Sequence, residues 1–486
     1  MMYAGQHNGY LASRFHQLSP LVLGLLTVGV SFLIAILPLE TILALGLFLS
    51  GIYAGARRPD LGLALIALSV PVQRTLLVGY GDTAVTITKV VLWSTIGGWI
   101  WSVVIHRTSI RIDLFSWGAI GVTLAVALSG WNAKDGGLWI GETYRWLAMI
   151  PVGLFAVTSF RQGWSPLPFL VSSALGTVFC VAGAAWQVVA QLGPPSFESR
   201  GLMRATGPFG HPNQLAIYLE LTVPLLLGLT IGLSQQKPTT VLMDKARRLL
   251  PLWAIGAGLG LIGLLLSQSR GGSVGMLVGL GVTIALASLL VTNYARLPIL
   301  LALVGTLVFV ASLILYVATG AVTSAARGVQ VTPVNFAVDE RLAHWAAGVE
   351  MAVRNPILGV GAGNYDMNFR ESTTTWRFRI GRGHAHNSYI QMLAQAGIVG
   401  LAAYMALIST VAVTIASAIR GPSSYLMRGI VIGVAGMSAA LLAHAVFEYV
   451  HVLSLNLHMA IAWGLVAAIG SGSFDPNRSS PAPGSN

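Results

Sequence analysis

The chain has little charge: only 9% of its 486 residues are Asp, Glu, Lys or Arg, and 55% are hydrophobic. A soluble globular domain carries about 25% charged residues, so this composition excludes an ordinary soluble protein. Apolar runs recur from Leu18 onward, and each reaches the roughly 18 residues that a membrane-spanning helix needs. The sequence therefore predicts an all-α, polytopic integral membrane protein.

Cysteine is almost absent. The single cysteine, Cys180, lies inside an apolar run, and because it has no second cysteine to pair with, the chain cannot form an internal disulfide. A signal peptide is not expected either, because residues 1–17 are polar and the next apolar run lacks a small-residue cleavage site. No Walker loop or dinucleotide fingerprint occurs. We expect no cofactor, and the energy for any reaction must come from the substrate or from a gradient.

The net charge of +12 is spread over the loops between apolar runs, and no solvated basic domain is present. Nucleic acid is therefore not an expected partner. Membrane lipids and anionic lipid-linked substrates suit this distribution better.

The hydropathy pattern predicts about fourteen spans, within a range of twelve to fourteen. They are 18–37, 39–56, 60–79, 84–106, 114–131, 143–161, 166–191, 212–233, 249–267, 270–292, 297–319, 387–419, 426–447 and 452–471. We divide the chain into a cytoplasmic N-terminal tail (1–17), helices 1–11 (18–319), a large outer loop (320–386), helices 12–14 (387–471) and a disordered tail (472–486).

Lys and Arg in short loops set the orientation, because cytoplasmic loops are enriched in them. Most of these residues fall on one side if both termini are cytoplasmic. Arg200, Arg204 and Arg270 are exceptions on the outer side, which indicates that they have another role.

The outer loop is too long to be an idle connector. Within it, residues 339–354 have the pattern of an amphipathic helix that ends before Pro356. One face of this helix carries Leu342, Trp345, Ala346, Val349 and Val353.

Three segments place polar groups on the outer side and could converge on one site. They are 200–213, which contains Gly-Pro-Phe-Gly-His-Pro-Asn, the turn Ser267-Gln-Ser-Arg-Gly-Gly272, and His384-Ala-His-Asn387. Arg supplies 24 of the 28 basic residues. Because its planar fork binds phosphate oxygens in pairs, Arg204 and Arg270 suit a pyrophosphate, while a neutral His386 suits proton acceptance from a hydroxyl.

Structural roles compete with these functional ones. An arginine at the end of a span can be an anchor that reaches the lipid head groups. His211, Asn213 and Asn387 can simply cap the helices that follow them, and His384 can be merely solvated. Among the histidines, His386 is the preferred candidate.

Weaker candidates lie elsewhere on the chain. Glu142 and Arg145 have the spacing of an intrahelical ion pair. A metal could be suggested by the i, i+4 spacing of His444 and Glu448, with His451 three residues further along the chain. The sequence offers no further ligand whose geometry is clear enough to complete such a site. We interpret these three as pore-lining or packing groups and predict no metal site.

At these residues the chain resembles the O-antigen ligase and polymerase family of bacterial membrane glycosyltransferases. His386-Asn387, nine further residues and Gly397-Ile-Val-Gly400 fit that family's motif. The segments Arg204-Ala-Thr-Gly-Pro-Phe-Gly-His-Pro-Asn213, Ser269-Arg-Gly-Gly272 and 341–361 resemble its other blocks, so the likeness covers about residues 200–450.

The resemblance implies a glycan donor on undecaprenyl pyrophosphate at the outer face of the bacterial inner membrane. An acceptor hydroxyl on a glycan or lipid would attack the anomeric carbon with inversion and without a metal, and a chain-length regulator is a possible partner. The catalytic residues would be His386, Arg270 and Arg204. Substrate contacts would come from Arg200, Asn213, Arg341, His384 and Asn387.

We predict an O-antigen or exopolysaccharide polymerase, or an O-antigen ligase, with the polymerase slightly favoured. The alternative is a secondary transporter of an anion, such as bicarbonate, or of a lipid-linked sugar. A transporter would place its polar site near the membrane midplane.

Overall fold

The computed structural model describes residues 39–74, 76–78, 85–199, 202–235, 239–291, 336–372, 383–421, 424–452, 454–472 and 474. The predicted spans 18–37 and 297–319 lie outside these ranges. Arg200 and the basic residues Arg377, Arg379 and Arg382 of the predicted outer loop are also outside the described residues.

Fifteen α-helices lie within this part of the chain. The first seven are α1 (Leu39–Arg57), α2 (Pro59–Ser69), α3 (Ile87–Ile105), α4 (Leu114–Leu128), α5 (Gly136–Arg161), α6 (Leu167–Val189) and α7 (Pro212–Ser234). The others are α8 (Val241–Arg248), α9 (Leu250–Ser267), α10 (Arg270–Leu290), α11 (Phe336–Arg354), α12 (Tyr365–Phe369), α13 (Ser388–Arg420), α14 (Tyr425–His444) and α15 (Leu455–Gly470). Two short antiparallel hairpins pair β1 (Leu76–Val78) with β2 (Val85–Thr86) and β3 (Glu198–Ser199) with β4 (Leu202–Met203).

Eight of the described helices are long and apolar enough to cross a membrane. They are Ile87–Ile105, Leu114–Asn132, Leu167–Val189, Pro212–Ser234, Leu250–Ser267, Arg270–Leu290, Ser388–Arg420 and Tyr425–His444, and Pro59–Val72 and Leu455–Gly470 are shorter apolar helices. This confirms the prediction of an all-α polytopic membrane protein. The count of fourteen spans, the outer loop and the domain boundaries stay predictions.

The centre of the bundle is formed by α7 and α14, whose residues are mostly buried. Small residues allow these helices to approach closely: a Cβ atom on Gly228 would lie only 2.4 Å from the carbonyl oxygen of Gly429. Close backbone approach through small residues is a usual means of helix association in membranes. The buried pair α7 and α14 gives the polar residues at their ends a fixed relative position.

Two predicted spans differ from the helices in the structure. The span 60–79 is too long, because α2 ends at Ser69 and a short 3₁₀ turn containing Pro71 leads into β1. Proline cannot continue the helical hydrogen bonding. The span 387–419 is interrupted at Gly397, where φ is +63° and ψ is −160°. Residues 388–396 therefore form a separate helical segment before the long part of α13.

The predicted amphipathic helix is present as α11, but the face that packs on the protein is a different one. Among the five apolar residues predicted to share a face, Val349 is 47% and Val353 74% exposed. The buried side carries His344, Ala347 and Met351 instead. Sequence periodicity detected the helix, but it did not identify the side that meets α13.

Candidate active site

Polar residues gather at one end of the bundle, where α7, α10 and α13 begin and α9 and α14 end. Helix starts present backbone N–H groups that have no intrahelical partner, and side chains must satisfy them. The three segments singled out by the sequence meet here, together with the loop that follows α14.

The first segment is held against α6 and α9. Gln187 on α6 accepts hydrogen bonds from the backbone N–H groups of Thr206 and Gly207, at 2.9 and 3.0 Å. The Nε of Arg204 donates to the backbone oxygen of Ser267, 3.3 Å away. These contacts fix Arg204 beside the turn that leads to Arg270.

The second segment is the turn between α9 and α10. Gln268 adopts a left-handed conformation with φ of +49°, which reverses the chain tightly. The hydroxyl of Ser269 accepts from Gly272 N–H and so caps α10, while its own proton is donated to Oδ1 of Asn213 at 2.9 Å. Arg270 is consequently placed in the first turn of α10.

The third segment, 384–387, contains a strained residue. His386 has φ of +49°, a left-handed conformation that costs a non-glycine residue about 1–3 kcal/mol and is common at functional sites. The N–H of His386 donates to Nδ1 of His384 at 3.3 Å, and the N–H of Ala385 donates to Gln391 at 2.6 Å. Asn387 caps α13 and donates to the backbone oxygen of Val446 at 3.0 Å.

Glu448, in the loop after α14, joins the first and third segments. Its carboxylate accepts hydrogen bonds from the Asn213 amide, from the Tyr449 N–H at 3.1 Å and from Nδ1 of His386 at 3.1 Å. Burial raises the pKa of Glu448, but its interactions with His386, His384 and Arg341 outweigh burial and hold this pKa well below its usual range. Glu448 is therefore an ionised, buried acceptor.

This pairing determines which nitrogen of His386 carries a proton. An ionised carboxylate can only accept, so Nδ1 of His386 must be the donor. The Nε2 atom of His386 is buried and has no hydrogen-bond partner among the described residues. In neutral His386, Nε2 consequently has a free lone pair, which is the state that a general base requires.

His384 does not compete for this role. Its Nδ1 lies 3.3 Å from Glu448 but accepts the backbone proton of His386, so it cannot donate at the same time. Burial lowers the pKa of His384 below its ordinary value, which favours the neutral ring.

Three arginines lie close to this pair. Burial lowers the pKa of the Arg204 guanidinium, and the charges of Arg341 and then Arg270 lower it further. Among the described residues, no ion pair joins any of the three to a carboxylate, and the buried Nε of Arg341 has no hydrogen-bond partner. Like charges held together in this way create a strongly positive pocket that suits an anion.

A possible metal site is formed by His384, His386 and Glu448. One imidazole nitrogen from each histidine and one carboxylate oxygen of Glu448 lie within 4.8 Å of one another. Imidazole nitrogen and carboxylate oxygen are ligands that Zn²⁺ accepts. The surroundings fit a cation poorly, however, because the arginines repel it and the hydrogen bonds to Glu448 already occupy the carboxylate. We treat the group as a hydrogen-bonded acid–base pair.

The weaker candidates form separate contacts. Glu142 and Arg145 make the predicted intrahelical ion pair at 2.7 Å, and Glu142 also accepts from the Tyr449 hydroxyl at 2.5 Å. His444 lies 3.0 Å from the buried Glu220. His451 is hydrogen-bonded to Asn456 and Tyr404, each at 2.9 Å.

Seven of the predicted site residues lie together in the structure: Arg204, Asn213, Arg270, Arg341, His384, His386 and Asn387. Their roles stay predictions. Asn387 acts as the helix cap that was the alternative interpretation, and His211 caps α7 through its Nδ1. Sequence reasoning treated Glu448 as a packing group and so missed its contact with His386. The only available signal was an acidic residue next to the apolar end of α14.

Comparison with known proteins found one family. Residues 255–405 match the family model described as O-Antigen ligase. The matched range includes Arg270, Arg341 and His386, whereas Arg204 and Glu448 lie outside it. No curated protein matches the chain.

Proposed function

We propose that the chain is a membrane glycosyltransferase of the O-antigen ligase and polymerase family, whose model residues 255–405 match, and that it transfers a glycan from undecaprenyl pyrophosphate to an acceptor hydroxyl. The reaction takes place at the outer face of the bacterial inner membrane, with both termini in the cytoplasm. It inverts the anomeric centre and uses no metal.

The observation that carries the proposal is the His386–Glu448 pair: Nδ1 and Oε1 are 3.1 Å apart, and no residue within the described ranges offers a hydrogen-bond partner to Nε2 of His386. A carboxylate on Nδ1 fixes the tautomer of the ring and stabilises the imidazolium that forms when Nε2 takes a proton. The same logic operates in Ser-His-Asp hydrolases. Here the group that loses its proton is the acceptor hydroxyl.

The reaction then balances as a direct displacement. The acceptor oxygen forms a bond to the anomeric carbon while the bond from that carbon to the pyrophosphate oxygen breaks. The hydroxyl proton moves to Nε2 of His386, and the bonding electrons leave with the pyrophosphate. Attack opposite to the leaving group inverts the anomeric centre.

The arginines supply the second half of the mechanism. The departing pyrophosphate gains negative charge in the transition state, and prearranged cations stabilise it most where water is excluded. Arg204 is fixed by its bond to the Ser267 carbonyl, so it needs no reorganisation to meet the leaving group. Arg270 and Arg341 bind the remaining phosphate oxygens.

The polar groups lie at the ends of the helices rather than midway along them, which does not favour the transport alternative. An acceptor glycan on undecaprenyl pyrophosphate makes the chain a polymerase, and a lipopolysaccharide core as the acceptor makes it a ligase. Partners that control chain length belong to the polymerase reaction.

The test replaces His386 or Arg270 with Ala in cells that depend on the protein for long glycan chains. Both variants should reach the membrane at wild-type levels, yet long chains should disappear from gels of the cell-surface glycan. The matched control is His106→Ala, because His106 is an exposed histidine at the far end of α3. It should leave chain length unchanged. Wild-type chain lengths in both His386→Ala and Arg270→Ala would refute the assignment.

A further inference from the structure

A second buried pair of ionisable residues lies within the membrane-spanning helices that carry the candidate active site. Glu220 on α7 and His444 at the end of α14 are 0% and 1% exposed, and Oε2 of Glu220 lies 3.0 Å from Nδ1 of His444. Ionisable groups within spans are costly and usually have a function. Apolar residues of similar volume would join two helices at lower cost. The proposed reaction does not use this pair, so its presence requires another reason.

The imidazole of His444 fills the space between α7 and the start of α10. One edge of the ring, at Nδ1, faces Glu220. The opposite edge faces the backbone of α10, because a Cβ atom built on Gly271 would lie 2.8 Å from Cδ2 and 2.9 Å from Nε2 of His444. Gly271 directly follows Arg270 in the sequence. The orientation of the His444 ring therefore limits where the first turn of α10, and with it Arg270, can lie.

The carboxylate of Glu220 meets the same face of α10 one turn later. A Cβ atom built on Gly275 would clash with Oε1 of Glu220 and would lie 3.0 Å from Cβ of His444. Neither Gly271 nor Gly275 can gain a single carbon atom without displacing a neighbour. The pair is thus in direct contact with the helix that carries Arg270.

The backbone of His444 starts the turn that carries Glu448. Its carbonyl oxygen accepts hydrogen bonds from the N–H groups of Phe447 at 2.8 Å and Glu448 at 3.0 Å. The side chain of His444 is held by Glu220, while its main chain holds Glu448. One residue therefore connects the partner of the general base to the arginine assigned to the leaving group.

Glu220 lies on the same face of α7 as Asn213. Seven residues along a helix return to within about 20° of the starting direction and advance by about 10 Å. Asn213 contacts both Ser269 before α10 and Glu448 after α14. Glu220, together with His444, connects the same three helices about 10 Å further along α7. Since one contact fixes only a distance and two fix an angle as well, the orientation of α10 toward α14 is determined by both.

We propose that Glu220 and His444 form a positioning pair that fixes the separation and angle between Arg270 and the His386–Glu448 pair. The inference rests on the proposed function, because it concerns the groups to which that reaction assigns the leaving pyrophosphate and the acceptor proton. Neither Glu220 nor His444 contacts the substrate. Their hydrogen bond is directional, so it holds the imidazole in one orientation, which apolar packing would not do.

Substitutions at Glu220 test the pair, because they leave the ring of His444 in place. Glu220→Gln keeps a side chain that can form a hydrogen bond with Nδ1, whereas Glu220→Leu removes the bond at a similar size. Glu220→Leu should lower kcat for glycan transfer on the order of 10²-fold, the effect of misplacing a group by about 1 Å. Glu220→Gln should recover most of this loss.

Pyrophosphate binding provides a readout that does not depend on transfer. Displacement of Arg270 in Glu220→Leu should raise the Kd for inorganic pyrophosphate about tenfold, which equals about 1.4 kcal/mol, and Glu220→Gln should restore it. The matched control is His458→Leu. His458 is a fully buried histidine on α15, and its Nε2 lies 3.4 Å from the Ser173 hydroxyl. This variant should lower Tm but keep the wild-type kcat and Kd when both are measured well below its Tm.

Two results would overturn the inference. If Glu220→Leu lowers Tm but keeps the wild-type kcat and Kd for pyrophosphate, the pair only stabilises the fold. If Glu220→Gln and Glu220→Leu lose equally, the hydrogen bond does not position anything. Should Glu220→Leu fail to fold, Glu220→Met, whose side chain is more flexible, replaces it with the same expectations. If the wild type binds pyrophosphate more tightly than Glu220→Leu but transfers no glycan, the proposed function fails and the positioning pair remains.

Discussion

The Nδ1 atom of His386 lies 3.1 Å from Oε1 of Glu448, although 62 positions separate the two residues in the sequence. Glu448 also accepts from the amide of Asn213, which is hydrogen-bonded to Ser269 in the turn before Arg270. One carboxylate therefore connects the base candidate to the loops that carry the arginines. A change at Glu448 must alter both the tautomer of His386 and the position of its neighbours.

We expect Glu448→Gln to reduce the transfer rate by a factor on the order of 10²–10⁴, since the corresponding amide substitution in Ser-His-Asp enzymes favours the wrong tautomer. An amide can donate to Nδ1, and the proton of His386 would then move to Nε2. Binding of the donor should change little. The measurement is single-turnover transfer by purified protein together with donor binding.

Glu142→Gln is the matched control for this prediction. Glu142 is a buried carboxylate that accepts from the Tyr449 hydroxyl and pairs with Arg145, without a contact to His386. It should lose far less activity than Glu448→Gln. Equal losses in the two variants would show that Glu448 acts only through packing.

The family motif around His386 could be read from the sequence because its residues are close together on the chain. The contact with Glu448 could not, because it depends on how α13 and α14 pack. The spacing of His444, Glu448 and His451 even suggested a common environment for the three. Their partners are in fact different: Glu220 for His444, His386 for Glu448, and Asn456 for His451.

Hydropathy predicted the long helices well because each needs only a continuous apolar run. Hydropathy failed where backbone geometry determines where a helix ends or breaks, as at Pro71 and Gly397. The apolar face that periodicity identifies on α11 is also not the face that packs on the protein. In a membrane protein, apolar side chains such as Val353 remain exposed on the protein surface, so apolar periodicity alone does not distinguish lipid from protein contact.

We expect inorganic pyrophosphate to stabilise the protein against thermal unfolding. Burial and the neighbouring Arg341 and Arg270 lower the pKa of Arg204, and a bound anion would relieve the repulsion among the three guanidinium groups. Ligand at 100 times its Kd stabilises by about 2.7 kcal/mol, which a shift in Tm would report. Arg204→Gln should remove most of the shift.

Arg248→Gln provides the control for pyrophosphate binding. Arg248 lies on α8 at the other end of α7 and pairs with Asp244 at 2.7 Å. It should retain the full Tm shift. If Arg204→Gln retains it as well, the anion binds elsewhere.

We expect the protein to lose stability as the pH falls from about 6.5 to 4, partly through His451. Burial lowers the pKa of His451 to about 4, although its hydrogen bond with Asn456 acts in the opposite direction. An unfolded histidine titrates near 6.5, so between these values the unfolded chain binds the extra proton and stability decreases toward lower pH. The slope for one histidine is at most about 1.4 kcal/mol per pH unit.

Melting curves of wild type and His451→Gln across this pH range test that prediction. The variant should be less stable at pH 7 because it loses well-placed hydrogen bonds, but its Tm should decrease less steeply below pH 6.5. His106→Gln, at an exposed position, should keep the wild-type slope. Parallel curves for wild type and His451→Gln would contradict the assignment.

The structure gives a physical reason why position 397, which follows the His386-Asn387 pair after nine intervening residues, is a glycine. Gly397 has φ of +63°, and a Cβ atom there would lie 2.2 Å from the backbone oxygen of Ile357. The neighbouring Ile398 N–H donates to the Pro356 carbonyl at 2.9 Å. The break at Gly397 therefore positions the short helix that Asn387 caps.

We expect Gly397→Ala to destabilise the protein by more than about 3 kcal/mol, because the strain of a backbone conformation that is essentially restricted to glycine, about 1–3 kcal/mol, is joined by a clash with backbone that cannot yield. Gly383→Ala is the matched control: Gly383 also has a positive φ of +77°, but nothing lies within 4 Å of an added Cβ atom. It should cost only the strain. Denaturation of both variants in detergent measures the difference, and transfer activity should be lost with Gly397→Ala alone. Equal destabilisation by the two substitutions would mean that the contact with Ile357 does not hold the break in place.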